Sequence, residues 1–170
     1  MQGYNAQAVC NEHQVVIAAE LTNDSPDFGH LGPMIDAAQA ELGAIGVTEP
    51  PAVVVADAGY WHQQQMEQIV SRGITVLIPP DAGKRKDTRP GWDGGLYAFM
   101  RNVLAREPGG PLYAKRQGMI EPIFADAKFN RRCDRFLRRG HAACRSEWRL
   151  INATGNLLKL WRHSTAPLTA

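Results

Sequence analysis

Two carboxylates and a lysine have positions in the sequence that would suit metal-dependent phosphoryl transfer. Asp57 directly follows the apolar, β-branched run Ala52–Ala56, and the carboxyl end of such a strand is where open α/β sheets bind ligands. Glu121 begins a stretch with helical character, and Lys128 follows seven residues later, close to two helical turns. A carboxylate and an ammonium on one helix face can hold a divalent cation and a phosphate. Taken alone, Asp57 is better explained as a helix cap, and Glu121 and Lys128 as ordinary surface charges.

A cluster of basic residues follows. Charges of one sign, interrupted only by Asp134, favour binding to nucleic-acid phosphates over an ordinary solvated face. The six cations within twelve residues are Lys128, Arg131, Arg132, Arg135, Arg138 and Arg139. Residues 1–114 hold seven Lys/Arg against thirteen Asp/Glu, net −6, whereas residues 115–170 hold twelve against four, net +8. This polarity predicts an acidic partner for the last third of the chain.

The elements that must position these residues indicate an α/β fold. Alternating and β-branched runs around a polar turn predict an antiparallel hairpin, and a strand, helix and strand in close succession predict a parallel βαβ unit. The hairpin strands are Gly3–Cys10 and Gln14–Leu21, and the βαβ unit comprises the strand 52–57, the helix His62–Ser71 and the strand Ile74–Ile78. Asp57 therefore ends the first strand of the βαβ unit.

Helical periodicity and breakers define the remaining elements. The predicted helices are Phe28–Leu42, Leu96–Ala105, Gln117–Arg138 and Ala142–Trp161, with a polar loop over 81–95 and a breaker at Pro108–Pro111. Glu121 and the basic cluster both fall on Gln117–Arg138, here called the predicted basic helix. The chain thus divides into a sheet-rich part (1–80) with Asp57, a loop and short helix (81–112), and a helical part (113–170) with Glu121.

Composition excludes several classes of protein. A content of 44% hydrophobic and 21% charged residues over 170 residues suits one folded domain. The longest apolar runs are far shorter than the roughly 20 residues that cross a bilayer, and the first residues do not resemble a signal peptide. Three widely spaced cysteines, Cys10, Cys133 and Cys144, do not form a disulfide framework, so a reducing cytoplasm is the expected compartment.

Six short stretches follow one another along nearly the whole chain. They are GYNAQAV (Gly3–Val9), VVADAGY (Val54–Tyr60), Tyr113-x-x-Arg116 with EPIFADAK (Glu121–Lys128), FLRRG (Phe136–Gly140), SEWRL (Ser146–Leu150) and NLLKL (Asn156–Leu160). Together they resemble bacterial insertion-sequence transposases of the DDE class. One departure is that four residues separate Arg116 from Glu121, where the best-known form of this signature has three.

The resemblance implies a fold, a site and an activity. The fold would be a ribonuclease H-like mixed sheet with flanking helices, in which Asp57 is the second catalytic carboxylate and Glu121 the third. Both would bind Mg²⁺ or Mn²⁺ in a site of two cations about 4 Å apart, which cleaves phosphodiesters and transfers strands at transposon ends. The resemblance also implies that residues of the signature handle the DNA, namely Tyr113, Arg116 and Lys128. Double-stranded DNA is then the partner and the bacterial nucleoid the location, with a homodimer and an upstream transposase segment as further candidate partners.

The first carboxylate of the family lies on a strand upstream of the GYNAQ-like hairpin, and the chain starts at that hairpin. Asp24 and Asp27 come after the second predicted strand, where turn or N-cap roles are expected. We therefore expect the C-terminal part of a transposase, with its first strand missing and without a complete two-metal site of its own. Three functions stay open: a catalytic region completed by an upstream segment, a DNA-binding remnant that interferes with a full transposase, and a related metal-dependent nuclease.

Overall fold

The structure, a computed structural model, describes residues 3–81 and 94–165. The chain divides into two compact units, residues 1–25 with 118–170, here called the hairpin unit, and residues 26–117, here called the βαβ unit. The described strands form two separate two-stranded sheets, one in each unit. The predicted α/β class is confirmed, and the ribonuclease H-like sheet stays a prediction. None of the helices in the described ranges is long and apolar enough to cross a membrane.

The βαβ unit contains the predicted parallel strand pair. Strand β3 (Val53–Val55) pairs with β4 (Thr75–Leu77), and helix α2 (Gln63–Ser71) connects them. The strands are shorter than the apolar runs that predicted them, because only three residues of each run pair with the other. The loop predicted over 81–95 falls mostly on residues 82–93, which lie outside the described part of the chain.

Two further helices complete the core of the βαβ unit. Helix α1 (Leu31–Ala44) and helix α3 (Gly95–Leu104) lie close to their predicted positions. Their apolar faces pack with α2 and β4, and Ile69 and Ile78 are completely buried between them. Burial of each such side chain contributes about 1.5–3 kcal/mol. This packing fixes the end of β3, from which Asp57 projects.

The hairpin unit joins two strands to the last helix. Strands β1 (Asn5–Cys10) and β2 (Val16–Thr22) pair antiparallel, as predicted. Helix α5 (His141–Thr165) packs on β2 through an apolar cluster that includes Trp148. The Trp148 indole donates a hydrogen bond of 2.9 Å to the Gln7 carbonyl. The Val16 N–H donates a hydrogen bond of 2.9 Å to Asn156 Oδ1, and Asn156 Nδ2 donates one of 2.7 Å to the Val16 carbonyl.

The prediction of one long basic helix over Gln117–Arg138 is wrong. Helix α4 occupies Gly109–Ala125 instead, and a single π-helical turn, Asp126–Asn130, follows it. Residues 131–140 are not helical. The helix begins inside the predicted breaker Pro108–Pro111 because a first turn has no intrahelical partner for its N–H groups and therefore tolerates proline.

Proline chemistry and tertiary contacts explain the early end of α4. Pro122 has no N–H to donate to the Gly118 carbonyl, four residues earlier, and that carbonyl accepts a hydrogen bond of 2.9 Å from the Gln14 side chain. The Arg131 N–H closes the π turn on the Asp126 carbonyl at 3.0 Å. Arg132 then adopts a left-handed conformation with φ 55°, which ends the helical path.

A partly buried carboxylate anchors α5 to the hairpin. Glu20 on β2 accepts a hydrogen bond of 2.7 Å from Arg145 Nη2 and further hydrogen bonds from Arg145 Nε and Arg149 Nη2. The hydrogen bonds from Arg145, with those from Arg149, outweigh the effect of burial and hold the pKa of Glu20 below its usual range. The charged form of Glu20 is therefore the one that stabilises the hairpin unit.

We predict that Glu20→Gln lowers the free energy of unfolding at pH 7 by about 1–2 kcal/mol, because hydrogen bonds to a charged acceptor become hydrogen bonds to a neutral one. Urea unfolding followed by circular dichroism measures this. A folded-state pKa below the unfolded value of 4.5 means that the contribution of Glu20 is complete above about pH 4.5 and is lost as the pH falls further.

The matched control is Glu12→Gln, which changes an exposed carboxylate in the turn of the same hairpin and should leave stability unchanged. A difference between wild type and Glu20→Gln that persists undiminished at pH 3 would contradict the assignment.

Candidate functional site

Asp57 lies two residues beyond β3, where the strand gives way to a 3₁₀ turn, Ala58–Tyr60. Its Oδ1 accepts a hydrogen bond of 3.0 Å from the Gly59 N–H, so the carboxylate caps this turn. Its Oδ2 lies 3.9 Å from Arg116 Nη1, and the side chain is 48% exposed. One oxygen therefore has a structural contact while the other faces a guanidinium, so the cap and the catalytic role predicted for Asp57 can coexist.

A second carboxylate, that of Asp27, approaches the same glycine. A Cβ on Gly59 would lie 3.1 Å from Asp27 Oδ2 and 3.1 Å from Asp57 Oδ1, closer than side-chain carbons normally come. Gly59 therefore allows both carboxylates to sit beside one backbone position. Of the two roles predicted for Asp27, a turn or an N-cap, the structure has the turn, since the Asp27 carbonyl accepts the His30 N–H and helix α1 begins only after His30. Asp24 lies in the predicted turn, with its N–H bonded to Thr22 Oγ1 at 3.0 Å.

The segment that carries Asp27 is fixed to the start of α2. Gln65 donates a hydrogen bond of 2.7 Å from Nε2 to the Gly29 carbonyl and accepts one of 3.0 Å at Oε1 from the Gly32 N–H. The Phe28 ring stacks on the His62 ring with a centroid separation of 4.6 Å. Sequence reasoning missed Asp27 and Gln65 as parts of this site. The position of Gln65 in a run of three glutamines gave no signal, whereas Gly59, two residues after a candidate carboxylate, could have indicated a close approach.

Tyr60 supplies a neutral group next to these carboxylates. Burial raises the pKa of the Tyr60 phenol, and the negative charges of Asp27 and Asp57 raise it further. The hydroxyl therefore stays protonated at neutral pH and remains a hydrogen-bond donor.

The two signature residues on α4 lie at the same site. Tyr113 and Arg116 are three residues apart and therefore share a helix face, with the Arg116 guanidinium carbon 5.6 Å from the Tyr113 ring centroid. The separation of 3.9 Å between Arg116 and Asp57 is that of an ion pair and is longer than a hydrogen bond. Three predicted site residues thus meet within the βαβ unit.

Glu121 and Lys128 belong to the hairpin unit. Glu121 is exposed on α4, and Lys128 is exposed in the π turn with its Nζ 6.0 Å from the Phe124 ring centroid. The shared α-helical face predicted from their seven-residue spacing is wrong, because the π turn begins at Asp126 and has more residues per turn than an α-helix. Glu121 thus belongs to the hairpin unit, whereas Asp57 belongs to the βαβ unit.

The arginines of the basic cluster fall into two groups. Arg131 donates a hydrogen bond of 2.6 Å to the Ile151 carbonyl and another to Thr154 Oγ1. A Cβ on Gly155 would lie 3.2 Å from its Nη1, so the missing side chain makes room for this tie to α5. The other four arginines are exposed on the non-helical segment 131–140; they are Arg132, Arg135, Arg138 and Arg139.

The non-helical segment is itself held in place by α5. Glu147 accepts hydrogen bonds of 2.9 and 3.0 Å from the N–H groups of Leu137 and Arg138. The exposed arginines therefore project from an anchored backbone, although it is not the helix that was predicted.

The donor chemistry at Asp57 fits a divalent cation in part. Carboxylate oxygens are the ligands that Mg²⁺ prefers, and it commonly takes only one or two of them while keeping several waters. Within residues 3–81 and 94–165, no group of three or more His, Cys, Asp and Glu side chains is arranged to hold a metal ion. The described residues around Asp57 therefore do not form a complete set of metal ligands.

Comparison with known proteins gives one match. The family model described as Transposase DDE domain matches residues 1–157. A search of curated proteins and a search of solved structures each find no match. The matched residues span both units and every predicted site residue.

We predict that Gly59→Ala lowers the free energy of unfolding by about 1–2 kcal/mol, because the new methyl group must displace two carboxylates. The matched control is Gly43→Ala in α1, where an added Cβ meets nothing within 4 Å and the better helix propensity of alanine should stabilise the protein by about 0.5–1 kcal/mol. Chemical denaturation measures both. Equal changes in the free energy of unfolding for the two substitutions would show that the neighbouring carboxylates do not restrict the side chain at position 59.

Proposed function

Because the chain belongs to the family of transposase DDE domains, we propose that it acts on double-stranded DNA at the ends of a mobile element, with Asp57 and Glu121 as its metal-binding carboxylates. The reaction is cleavage and transfer of DNA strands during transposition. A ribonuclease H-like sheet, a homodimeric assembly and a place at the bacterial nucleoid belong to the same proposal.

The observation that carries the proposal is the contact of Arg116 with Asp57. The two residues come from separate stretches of the family signature, yet their side chains lie 3.9 Å apart, with Tyr113 beside them. Unrelated surface charges would not be expected to bring an aromatic ring, a guanidinium and a partly exposed carboxylate together at the end of a parallel strand. That end is the usual ligand-binding edge of an α/β sheet.

The residues have distinct tasks in this chemistry. The Gly59 N–H fixes one oxygen of Asp57, which leaves the other oxygen for a cation. Bound Mg²⁺ or Mn²⁺ would activate water or a 3′-hydroxyl and stabilise the leaving oxygen. Glu121, exposed on α4, supplies the second carboxylate, and Tyr113 and Arg116 orient a phosphate of the substrate strand.

The DNA backbone would contact the exposed cations of the hairpin unit. Lys128 in the π turn and the arginines of segment 131–140 other than Arg131 are exposed, and each can neutralise a phosphate. Such contacts position a duplex without reading its sequence. Arg131 has a lesser part in this surface, since two of its donors are bonded to α5.

We predict that the protein, when an upstream transposase segment supplies the first carboxylate, nicks a plasmid carrying the genomic DNA on either side of its own reading frame in the presence of Mg²⁺ or Mn²⁺. Asp57→Asn and Glu121→Gln should each lower the rate at least about a hundredfold, because a lost metal ligand removes several kcal/mol of transition-state stabilisation. Nicking is measured on agarose gels. Asp36→Asn is the control, since Asp36 pairs with Arg72 outside the site.

Each outcome of this assay favours a different function. Binding without nicking in any metal would favour the DNA-binding remnant over the enzyme. Equal nicking of plasmids that lack the flanking DNA would favour a related nuclease. Nicking that survives Asp57→Asn would reject the proposed site.

We predict that Arg132→Ala combined with Arg135→Ala weakens duplex binding and reduces the slope of log affinity against log salt by about 2, since each lost phosphate contact changes it by about 0.9. Fluorescence anisotropy at several salt concentrations measures the slope. Arg72→Ala, which removes one positive charge from the βαβ unit, should leave the slope unchanged. An unchanged slope in the double variant would contradict the exposed-arginine surface.

Arg131→Ala should instead lower the free energy of unfolding, by about 1–2 kcal/mol, because it breaks the hydrogen bonds to α5.

A further inference from the structure

Arg116 places its positive charge at the oxygen of Asp57 that a cation would use. Oδ1 of Asp57 is bonded to the Gly59 N–H, and Oδ2 is the oxygen nearest to Arg116, at 3.9 Å. Asp57 is 48% exposed and Arg116 is 24% exposed, so the contact lies at the edge of the site, where solvent, ions and DNA can reach the carboxylate.

We propose that Arg116 is a placeholder for the divalent cation and that it couples cation binding to DNA binding. With neither ligand bound, the guanidinium neutralises Asp57. When a cation binds Asp57, Arg116 moves to a DNA phosphate. This inference rests on the proposed function, since it takes Asp57 as a metal ligand and DNA as the substrate.

Electrostatics require this competition. A guanidinium and a divalent cation at the same carboxylate oxygen repel each other, so the binding of one weakens the binding of the other. The present contact is long and partly exposed, and ion pairs of this kind change equilibria by about fivefold or less. Arg116 is therefore readily displaced from Asp57.

A phosphate is a better partner for the displaced guanidinium. Its oxygens match the planar fork of arginine and accept two parallel hydrogen bonds, which the contact with Asp57 does not provide. The Tyr113 ring, 5.6 Å from the guanidinium carbon, keeps the side chain near the site through a cation–π interaction. Arg116 can thus exchange partners by a change of side-chain conformation while α4 stays in place.

Linkage makes the effect reciprocal. If DNA draws Arg116 away from Asp57, then DNA strengthens cation binding, and the cation must strengthen DNA binding by the same factor. A purely structural ion pair between α4 and the 3₁₀ turn has different consequences, because its removal would lower stability without strengthening cation binding.

The first experiment measures Mn²⁺ binding without DNA, from the loss of the free-ion signal in electron paramagnetic resonance. We expect Arg116→Gln to bind Mn²⁺ about two- to fivefold more tightly than wild type, because a competitor for Asp57 is gone. The matched control is Lys115→Gln, which removes the same charge from the neighbouring, exposed position of α4 and should leave the affinity unchanged. Asp57→Asn identifies the share of binding that depends on Asp57.

The second experiment repeats the titration with duplex DNA. Wild type should gain affinity for Mn²⁺ in the presence of DNA, and Arg116→Gln should gain less or nothing. Arg116→Lys retains the charge but not the planar fork, so its affinity without DNA should stay near that of wild type while its gain with DNA is reduced. Thermal unfolding of each variant verifies that it is folded.

The outcomes separate this inference from the function beneath it. Asp57-dependent Mn²⁺ binding that is equal in wild type and Arg116→Gln overturns the placeholder role alone. Equal tightening in Lys115→Gln also overturns it, since the cause would then be general charge. Mn²⁺ binding that is unaffected by Asp57→Asn in every protein rejects Asp57 as a metal ligand, and the proposed function with it.

Discussion

The docking of α5 on the hairpin is the interaction on which the hairpin unit depends. A two-stranded hairpin is barely stable by itself in water, and here the Trp148 indole and the Asn156 amide fasten it to a helix through main-chain hydrogen bonds. The stretches SEWRL and NLLKL, which resemble the transposase family, therefore hold the hairpin unit together. The same helix anchors the backbone of segment 131–140 through Glu147. The exposed arginines owe their positions to this docking.

A different constraint governs the βαβ unit, where one short stretch combines several tasks. Asp57 bonds its own turn with one oxygen and faces Arg116 with the other. Gly59 leaves space for Asp27 beside it, and Tyr60 adds a phenol that stays neutral. The stretch VVADAGY thus combines a half-exposed carboxylate, the space beside it and a phenol that stays protonated.

Local patterns were sufficient for some of these features and insufficient for others. The hairpin, the βαβ unit and the place of Asp57 follow from apolar periodicity, since each depends on residues near one another in sequence. The end of α4 does not, because the Gly118 carbonyl bonds to Gln14, 104 residues away. The same holds for Arg131, which the sequence assigns to DNA and the structure ties to Ile151. Asp27 reaches Gly59 through a loop fixed by Gln65, and no local pattern describes that contact.

The bond between Gln7 and Trp148 spans 141 residues, which has a consequence for synthesis on the ribosome. The hairpin emerges before the βαβ unit, and α5 emerges after both. Until α5 emerges, the nascent hairpin exposes strand edges and the apolar face that Trp148 will cover, a combination that invites pairing with other chains. The late arrival of α5 thus leaves the hairpin exposed to misassociation for longer than the βαβ unit, whose residues can already form their own core.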